Sequence, residues 1–346
     1  MTDWLSEIQA IDALAGCRID PTLVHELQAR ATRAPMLPLD AATPSFQAYA
    51  TSEMTGCCKS AFPVFSITGS ACALQCDHCQ ARILEPMIAV PTPELLEAQV
   101  RALAERKILR GFLLSGGSNR RNEIAYERFY PAIERIKRDF PLISIAVHSA
   151  LLDRPRAHTM ADAGIDVAMM DVIGAEETIR QVYHLDRAVT DFEQTLAALC
   201  ETRMAVVPHI VIGLHYGRIL GERHALELVS KYPIDALVLV VVMPVHAKPA
   251  TFVTPDAGEV ARLFMDARAQ IGGTRLNLGC ARPHGLYRRT IDAYAIMAGL
   301  DGIAFPSEGT LTLAKAIGRP ISASNGCCAM KPGGNKLRTP TMDYHI

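Results

Sequence analysis

Ten cysteines are spread over 346 residues, and their grouping is the first chemical signal. Cys72, Cys76 and Cys79 crowd into ITGSACALQCDHCQARIL. Cys57 and Cys58 are adjacent, as are Cys327 and Cys328, whereas Cys17, Cys200 and Cys280 stand alone. Thiolates are the soft ligands that iron–sulfur clusters require, and three of them on a cubane leave one iron open to a further ligand. The competing readings of the same loop are a zinc site, for which His78 is the nearby fourth ligand, and a group of buried thiols.

Other residues could serve a ligand beside that loop. LLSGGSN places Gly116, Gly117 and Ser118 after a run of apolar residues; paired glycines let a main chain approach a bound group closely, but they also make ordinary tight turns. Asp171 closes AGIDVAMMD, where a carboxylate could accept hydrogen bonds from hydroxyl or ammonium groups or simply cap a strand. Arg180, in GAEETIRQVYHLDR, offers a planar fork for a carboxylate, or is a solvated helix arginine. Arg282, in LGCARPHG, could line a cavity or bind substrate. His209 and His215, in VPHIVIGLHYG, read as structural, and Cys17 and Cys200 as packing residues.

Elements that would position these residues follow from hydrophobic periodicity. Residues 1–55 have helical apolar spacing (Trp4, Ile8, Leu14, Leu23, Leu27) broken by prolines, and read as a helical extension. From Phe62 onward, eight short β-rich runs are predicted near 64–68, 111–115, 143–147, 167–171, 206–212, 236–242, 276–279 and 302–305. Amphipathic helical stretches separate them, near 93–107, 123–138, 154–163, 175–181, 190–202, 221–231, 256–270, 290–298 and 310–316. This order predicts a parallel (β/α)8, TIM-like barrel over 56–328, with an irregular tail at 329–346. In such a barrel chemistry sits at the carboxyl ends of the strands. Cys72–Cys79 follow the first strand, Gly116 and Gly117 the second, His148 and Ser149 the third; Asp171 ends the fourth, and Cys280 and Arg282 follow the seventh.

Bulk properties narrow the class. Hydrophobic residues make up 49% and charged residues 21%, enough to bury a large core. Lys and Arg (35) nearly balance Asp and Glu (36), so no global field favours nucleic acid or an anionic membrane as a partner. The amino-terminal MTDWLSEIQAIDALAG has no basic region leading into an apolar run, and no apolar run approaches membrane-spanning length. The cysteines then read as ligands in a reducing cytoplasm rather than as a disulfide framework.

The Cys72-x3-Cys76-x2-Cys79 loop resembles that of the radical S-adenosylmethionine (SAM) superfamily. There the three cysteines hold a [4Fe–4S] cluster whose open iron chelates the methionyl amino and carboxylate groups. His78 stands where that superfamily commonly has an aromatic residue. Gly116-Gly117-Ser118 resembles its Gly-Gly-Glu element, with Ser118 at the glutamate position. The resemblance further implies that Ser149, Asp171 and Arg180 contact the cofactor, and that VPHIVIGLHYG meets adenine through its main chain. From Phe62 to about Gly326 the chain is similar to the biotin synthase branch, including MADAGIDVAMMDVIG and IRQVYHLDR. Strands two, three and five, however, carry no cysteine for a second cluster. Cys280, with Cys57, Cys58, Cys327 and Cys328, would replace those ligands and hold a second [4Fe–4S] cluster as sulfur source.

That arrangement resembles most the proteins of two-component lipoyl synthases. It implies sulfur insertion into an octanoyl chain on the lysine of a lipoyl carrier domain, a second radical SAM component, and a low-potential electron donor such as ferredoxin or flavodoxin. Carbon-skeleton rearrangement of the methylornithine synthase kind, hydrogenase-cofactor maturation, and a non-enzymatic cluster carrier or redox sensor are the alternatives.

Overall fold

Runs rich in Val, Ile and Leu have their branched side chains on both faces, which suits strands covered on both sides; the amphipathic stretches between them supply the cover. The computed structural model describes residues 3–31, 38–44, 48–55, 61–324 and 326–327. Two helices lead, α1 (Trp4–Ala10) and α2 (Pro21–Ala31), followed by β1 (Leu39–Ala42), β2 (Val64–Ser66) and β3 (Ile88–Ala89). Strand and helix then alternate: α3 (Pro93–Glu105), β4 (Gly111–Ser115), α4 (Tyr130–Asp139), β5 (Ser144–His148), α5 (Arg154–Asp162) and β6 (Val167–Asp171). The helices α6 (Glu176–Val182) and α7 (Val189–Cys200) precede β7 (Ala205–Ile212), α8 (Glu222–Ser230), β8 (Ala236–Val241) and α9 (Ala257–Ile271). The chain continues through β9 (Arg275–Leu278), α10 (Leu286–Met297), β10 (Gly302–Ala304), α11 (Thr310–Ala316) and β11 (Ile321–Ser324).

All eight predicted strands form. The closed eight-stranded barrel does not: the strands make one curled half-barrel sheet of eleven parallel strands, ordered β11-β1-β10-β9-β8-β7-β6-β5-β4-β2-β3. Its rims are short, and the residues of β3 and β11 are exposed or only half-buried, as befits edges that solvent rather than another strand satisfies. The segment expected to be purely helical also contributes β1, which pairs with β10 on one side and β11 on the other.

Alternation along the strands sorts their side chains. Phe112, Leu114, Ile145, Val147, Ala168, Met170, Val206, Ile210, Leu237 and Leu239 face the helices and join the main core. The opposite parity (Ala146, Val167, Met169, Val207, Ala236 and Val238) forms a second apolar cluster with Phe62 on the face turned away from the helices. That face is the floor of the hollow, and its parity continues through His148, Asp171 and His209 at or near the carboxyl ends of β5, β6 and β7.

Candidate radical SAM site

The cysteine loop starts at the carboxyl end of β2. Ser66 Oγ donates to Gly69 O (2.6 Å) and Thr68 Oγ1 to Ala71 O (2.8 Å), folding the chain back at once. Three residues that are not glycine, Gln75, Gln80 and Ala81, have φ of 48°, 47° and 58°. Left-handed backbone at such residues stores strain of about 1 kcal/mol each. Amide side chains hold it: Gln75 Nε2 donates to Cys72 O (2.9 Å), and Gln80 Nε2 to the carbonyls of Cys76 and Gln75 (3.1 Å each).

The glycine pair at the end of β4 locks against this loop. Gly117 N–H donates to Thr68 Oγ1 (2.7 Å), while the Ser118 carbonyl accepts Ala73 N–H (2.9 Å) and the Cys72 thiol (3.8 Å). A Cβ on Gly117 would lie 2.0 Å from Ala71 O and 2.6 Å from Cys72 Cα, so the approach requires glycine. Ser118 thus meets the cysteine loop through its main chain.

Cys76 is buried; Cys72 and Cys79 are half-buried, and none of the three is in a disulfide. The Cys76 S–H and the neighbouring His78 draw the Cys79 thiol down to about 4, and the Cys76 thiol is correspondingly raised. Burial opposes charge on His78, but Cys79, Asp171 and Asp77 outweigh it and raise the imidazole above its ordinary value. His78 stacks on Tyr183 (centroids 4.9 Å apart, 25° between planes), leaving Nδ1 buried without a partner. Among the described residues no three His, Cys, Asp or Glu side chains are gathered so as to hold a single metal ion. Three thiols on one loop, an orphaned imidazole nitrogen and a glycine cradle fit a multi-iron group.

A network missed in the sequence pins the loop. Asp77, between Cys76 and His78, is buried; its carboxylate meets His184 Nε2 (3.0 Å), the Tyr216 hydroxyl (3.2 Å) and Lys248 Nζ (3.9 Å). Its N–H donates to Val182 O (2.9 Å) and its carbonyl accepts Lys248 N–H (2.7 Å). The segments after α6, β7 and β8 therefore converge on one aspartate that no spacing rule distinguishes.

Inside the hollow, Asp171 Oδ1 lies 3.6 Å from His148 Nε2, and Tyr183 OH donates to Oδ2 (3.3 Å). Burial alone would raise the carboxyl; His148, His209 and His78 hold it at about 2. His148 is raised in turn, since Asp171 outweighs its burial. His209, 5.9 Å from the His148 ring, is lowered to about 4 by burial and then by His148. It faces the hollow instead of acting only through its main chain. His215, by contrast, is structural, with Thr178 Oγ1 3.2 Å from Nδ1.

Other predicted residues fall less centrally. Ser149 is buried and spends its hydroxyl on Ala150 O (3.1 Å). Arg180 is exposed on α6, two residues before Val182. Arg282 neither lines a cavity nor awaits a ligand: it is fully buried, paired with Asp292 (2.6 and 3.1 Å) and donating to Gly279 O and Phe305 O (2.7 and 3.0 Å). Cys280 follows β9 and is half-buried; burial and then Cys327 raise its thiol. Cys327 packs against the apolar floor. Cys57, Cys58 and Cys328 lie outside the described residues.

Comparison with known proteins agrees with this geometry. No curated protein matches in sequence. Among solved structures, a methylornithine synthase (PylB) superposes with a TM-score of 0.57 at 12% identity, covering 93% of this chain and 97% of that one. HydG, a maturase of the [FeFe]-hydrogenase, gives 0.58 at 13%, covering 92% and 75%. The HydG of Carboxydothermus hydrogenoformans gives 0.52 at 15%, covering 88% and 67%. At these identities the likeness is one of fold. Residues 66–230 match the profile of the Radical SAM superfamily, whose cofactors are a [4Fe–4S] cluster and S-adenosylmethionine. The matching segment is the one that carries the cysteine loop, the glycine cradle and Asp171.

Proposed function

We propose that Cys72, Cys76 and Cys79 hold the [4Fe–4S] cluster at which this chain cleaves S-adenosylmethionine, and that the chain belongs to a sulfur-inserting system acting on an octanoyl chain. The observation that carries the first part is the closure of the cysteine loop on Gly117, which brings the thiols beside a main-chain cradle. When bound and reduced, the cluster with S-adenosylmethionine supplies a 5′-deoxyadenosyl radical.

The chain's own residues do the rest. Gly116, Gly117 and Ser118 offer main-chain groups to the methionyl end, and Arg180, two residues before the Val182 carbonyl that anchors Asp77, serves its carboxylate. Asp171, ionised because three imidazoles face it, accepts hydrogen bonds from hydroxyl groups. His78 is held against Tyr183 at the edge of the thiols. Met169, Val207 and Val238 keep the floor dry, which suits an aliphatic substrate and protects a carbon radical from polar side reactions.

Sulfur insertion rests on Cys280, which follows β9, and Cys327, which packs against the apolar floor. With Cys57, Cys58 and Cys328 as further candidates, they are the ligands of a second [4Fe–4S] cluster. An octanoyl-lysine on a lipoyl carrier domain reaches the hollow as an extended apolar chain, and a second radical SAM component completes the product.

The test is anaerobic iron and sulfide analysis of wild type and a Cys72/Cys76/Cys79 triple-Ser variant, with deoxyadenosine release followed under dithionite. About eight irons falling to about four, with cleavage lost, supports two clusters. Cys327→Ser should then keep cleavage and lose the sulfurated product. About four irons falling to none removes the second cluster and leaves a rearrangement or maturation enzyme; bound iron without any cleavage leaves a cluster carrier.

A further inference from the structure

The inward side chains of three neighbouring strands, β5, β6 and β7, change character along each strand. Ala146, Met169 and Val207 belong to the apolar floor, and the next inward position on each strand is His148, Asp171 or His209. Two imidazole rings therefore face the hollow, their centroids 5.9 Å apart and their planes at 60°. A polar side chain set beside so much apolar surface costs free energy unless its nitrogens find partners. Which nitrogens are already engaged follows from their neighbours.

His209 Nδ1 lies 3.1 Å from the Val207 carbonyl, which can only accept, so Nδ1 carries the proton and Nε2 presents a lone pair. Burial and then His148 keep that ring uncharged, at about 4. His148 turns Nε2 toward Asp171 Oδ1 (3.6 Å); the carboxylate outweighs burial and favours a second proton on this ring, which sits at Nδ1. The other oxygen of Asp171 accepts from the Tyr183 hydroxyl (3.3 Å). Among the described residues neither His148 Nδ1 nor His209 Nε2 has a hydrogen-bond partner. One free donor and one free acceptor thus stand side by side where the apolar floor ends.

An alkyl chain offers nothing to such a pair, whereas a secondary amide offers a carbonyl that accepts and an N–H that donates. The acyl-lysine substrate has one amide of this kind, between its eight-carbon chain and the lysine. We propose that His148 and His209 recognise that amide: His148 Nδ1–H donates to its carbonyl, and its N–H donates to His209 Nε2. The acyl chain then has a direction, running from the pair along Val207 and Met169 with its methyl end deepest on the floor. A molecule of the same shape that lacks the N–H leaves the His209 lone pair unsatisfied, and the pair discriminates against it on that ground. The proposal rests on the acyl-lysine reading and names the group by which the site holds that substrate.

The probes are N-ethyl octanamide and ethyl octanoate, alike except that an ester oxygen replaces the N–H. Their binding to the reconstituted protein with S-adenosylmethionine is measured anaerobically by calorimetry for wild type, His209→Leu and His209→Gln. Wild type should bind the amide about tenfold more tightly than the ester. His209→Leu should abolish the preference while binding the ester at least as well as wild type does, which also shows that the hollow is intact. His209→Gln, whose side-chain carbonyl accepts an N–H, should recover most of the preference. Equal affinity for the two probes in wild type, or a preference that survives His209→Leu, overturns the proposal. A second measurement separates the pair from the acyl reading. The imidazole C2–H resonances of His148 and His209, assigned by their loss in His148→Gln and His209→Leu, are followed by NMR as N-methylacetamide is added. If neither octanoyl probe binds wild type but N-methylacetamide moves both resonances, the pair holds an amide and the octanoyl reading is at fault; if it does not move both, the pair falls as well.

Discussion

Asp171 and His148 favour each other's charge in a place where burial disfavours both. The carboxyl, at about 2, lies below its ordinary 3.8, so the stability it contributes is complete above 3.8 and is lost as pH falls toward 2. The imidazole is raised above 6.5, so its contribution is complete below 6.5 and disappears as pH rises through its folded value. His148→Gln removes the foremost cation from Asp171 and lets its carboxyl climb. The acid limb of thermal stability should then move to higher pH, and the alkaline limb should flatten; a pair of pH-resolved unfolding profiles checks both. Gly117→Ala probes the cradle: a methyl 2.0 Å from Ala71 O must push the cysteine loop aside. We expect cluster loading to fall by at least half, read from iron content, with a stability loss of about 1–3 kcal/mol. Much of this site was legible because the thiols are close in sequence and the glycines end an apolar run. Asp77, Tyr183 and His209 were not, because their partners come from other segments. Period-two counting along Ala205, Val207 and His209 does place His209 on the inner face, and that signal was available.

At the scale of elements, the strands rich in branched residues were legible from sequence, and the helices between them agree to within a few residues except α4, which begins at Tyr130 and not near 123. Those that escaped have little intrinsic β character: β1 is LDAA, β3 is only Ile88–Ala89, and β11 is ISAS. Tertiary partners make them strands. Asp40 in β1 is buried and pairs with Arg275 of β9 (2.8 Å), a contact across 235 positions that local pattern cannot anticipate. Because β1 has a neighbour on each side, Ala41→Pro removes a ladder donor from an internal strand. It should cost about 3 kcal/mol in urea unfolding. It should also loosen β11 and the Cys327 beyond it, seen as faster alkylation of that thiol in the apoprotein.

The whole molecule is a half-barrel with one apolar floor, nearly balanced charge, and, among the described residues, no helix long and apolar enough to cross a membrane. Among the described residues the sheet is open, with β3 and β11 as its edges. In chain order β1 comes long before both of its hydrogen-bonding neighbours, β10 and β11. Until then its edges have nothing to pair with, and the loop that closes it spans most of the chain, a topology that slows folding. The nascent chain would therefore complete this sheet only once β11 has been made, with Cys327 following it. Loading of the cluster proposed at Cys72–Cys79 can precede that moment, whereas assembly of the one proposed at Cys327 cannot, which imposes a temporal order on maturation.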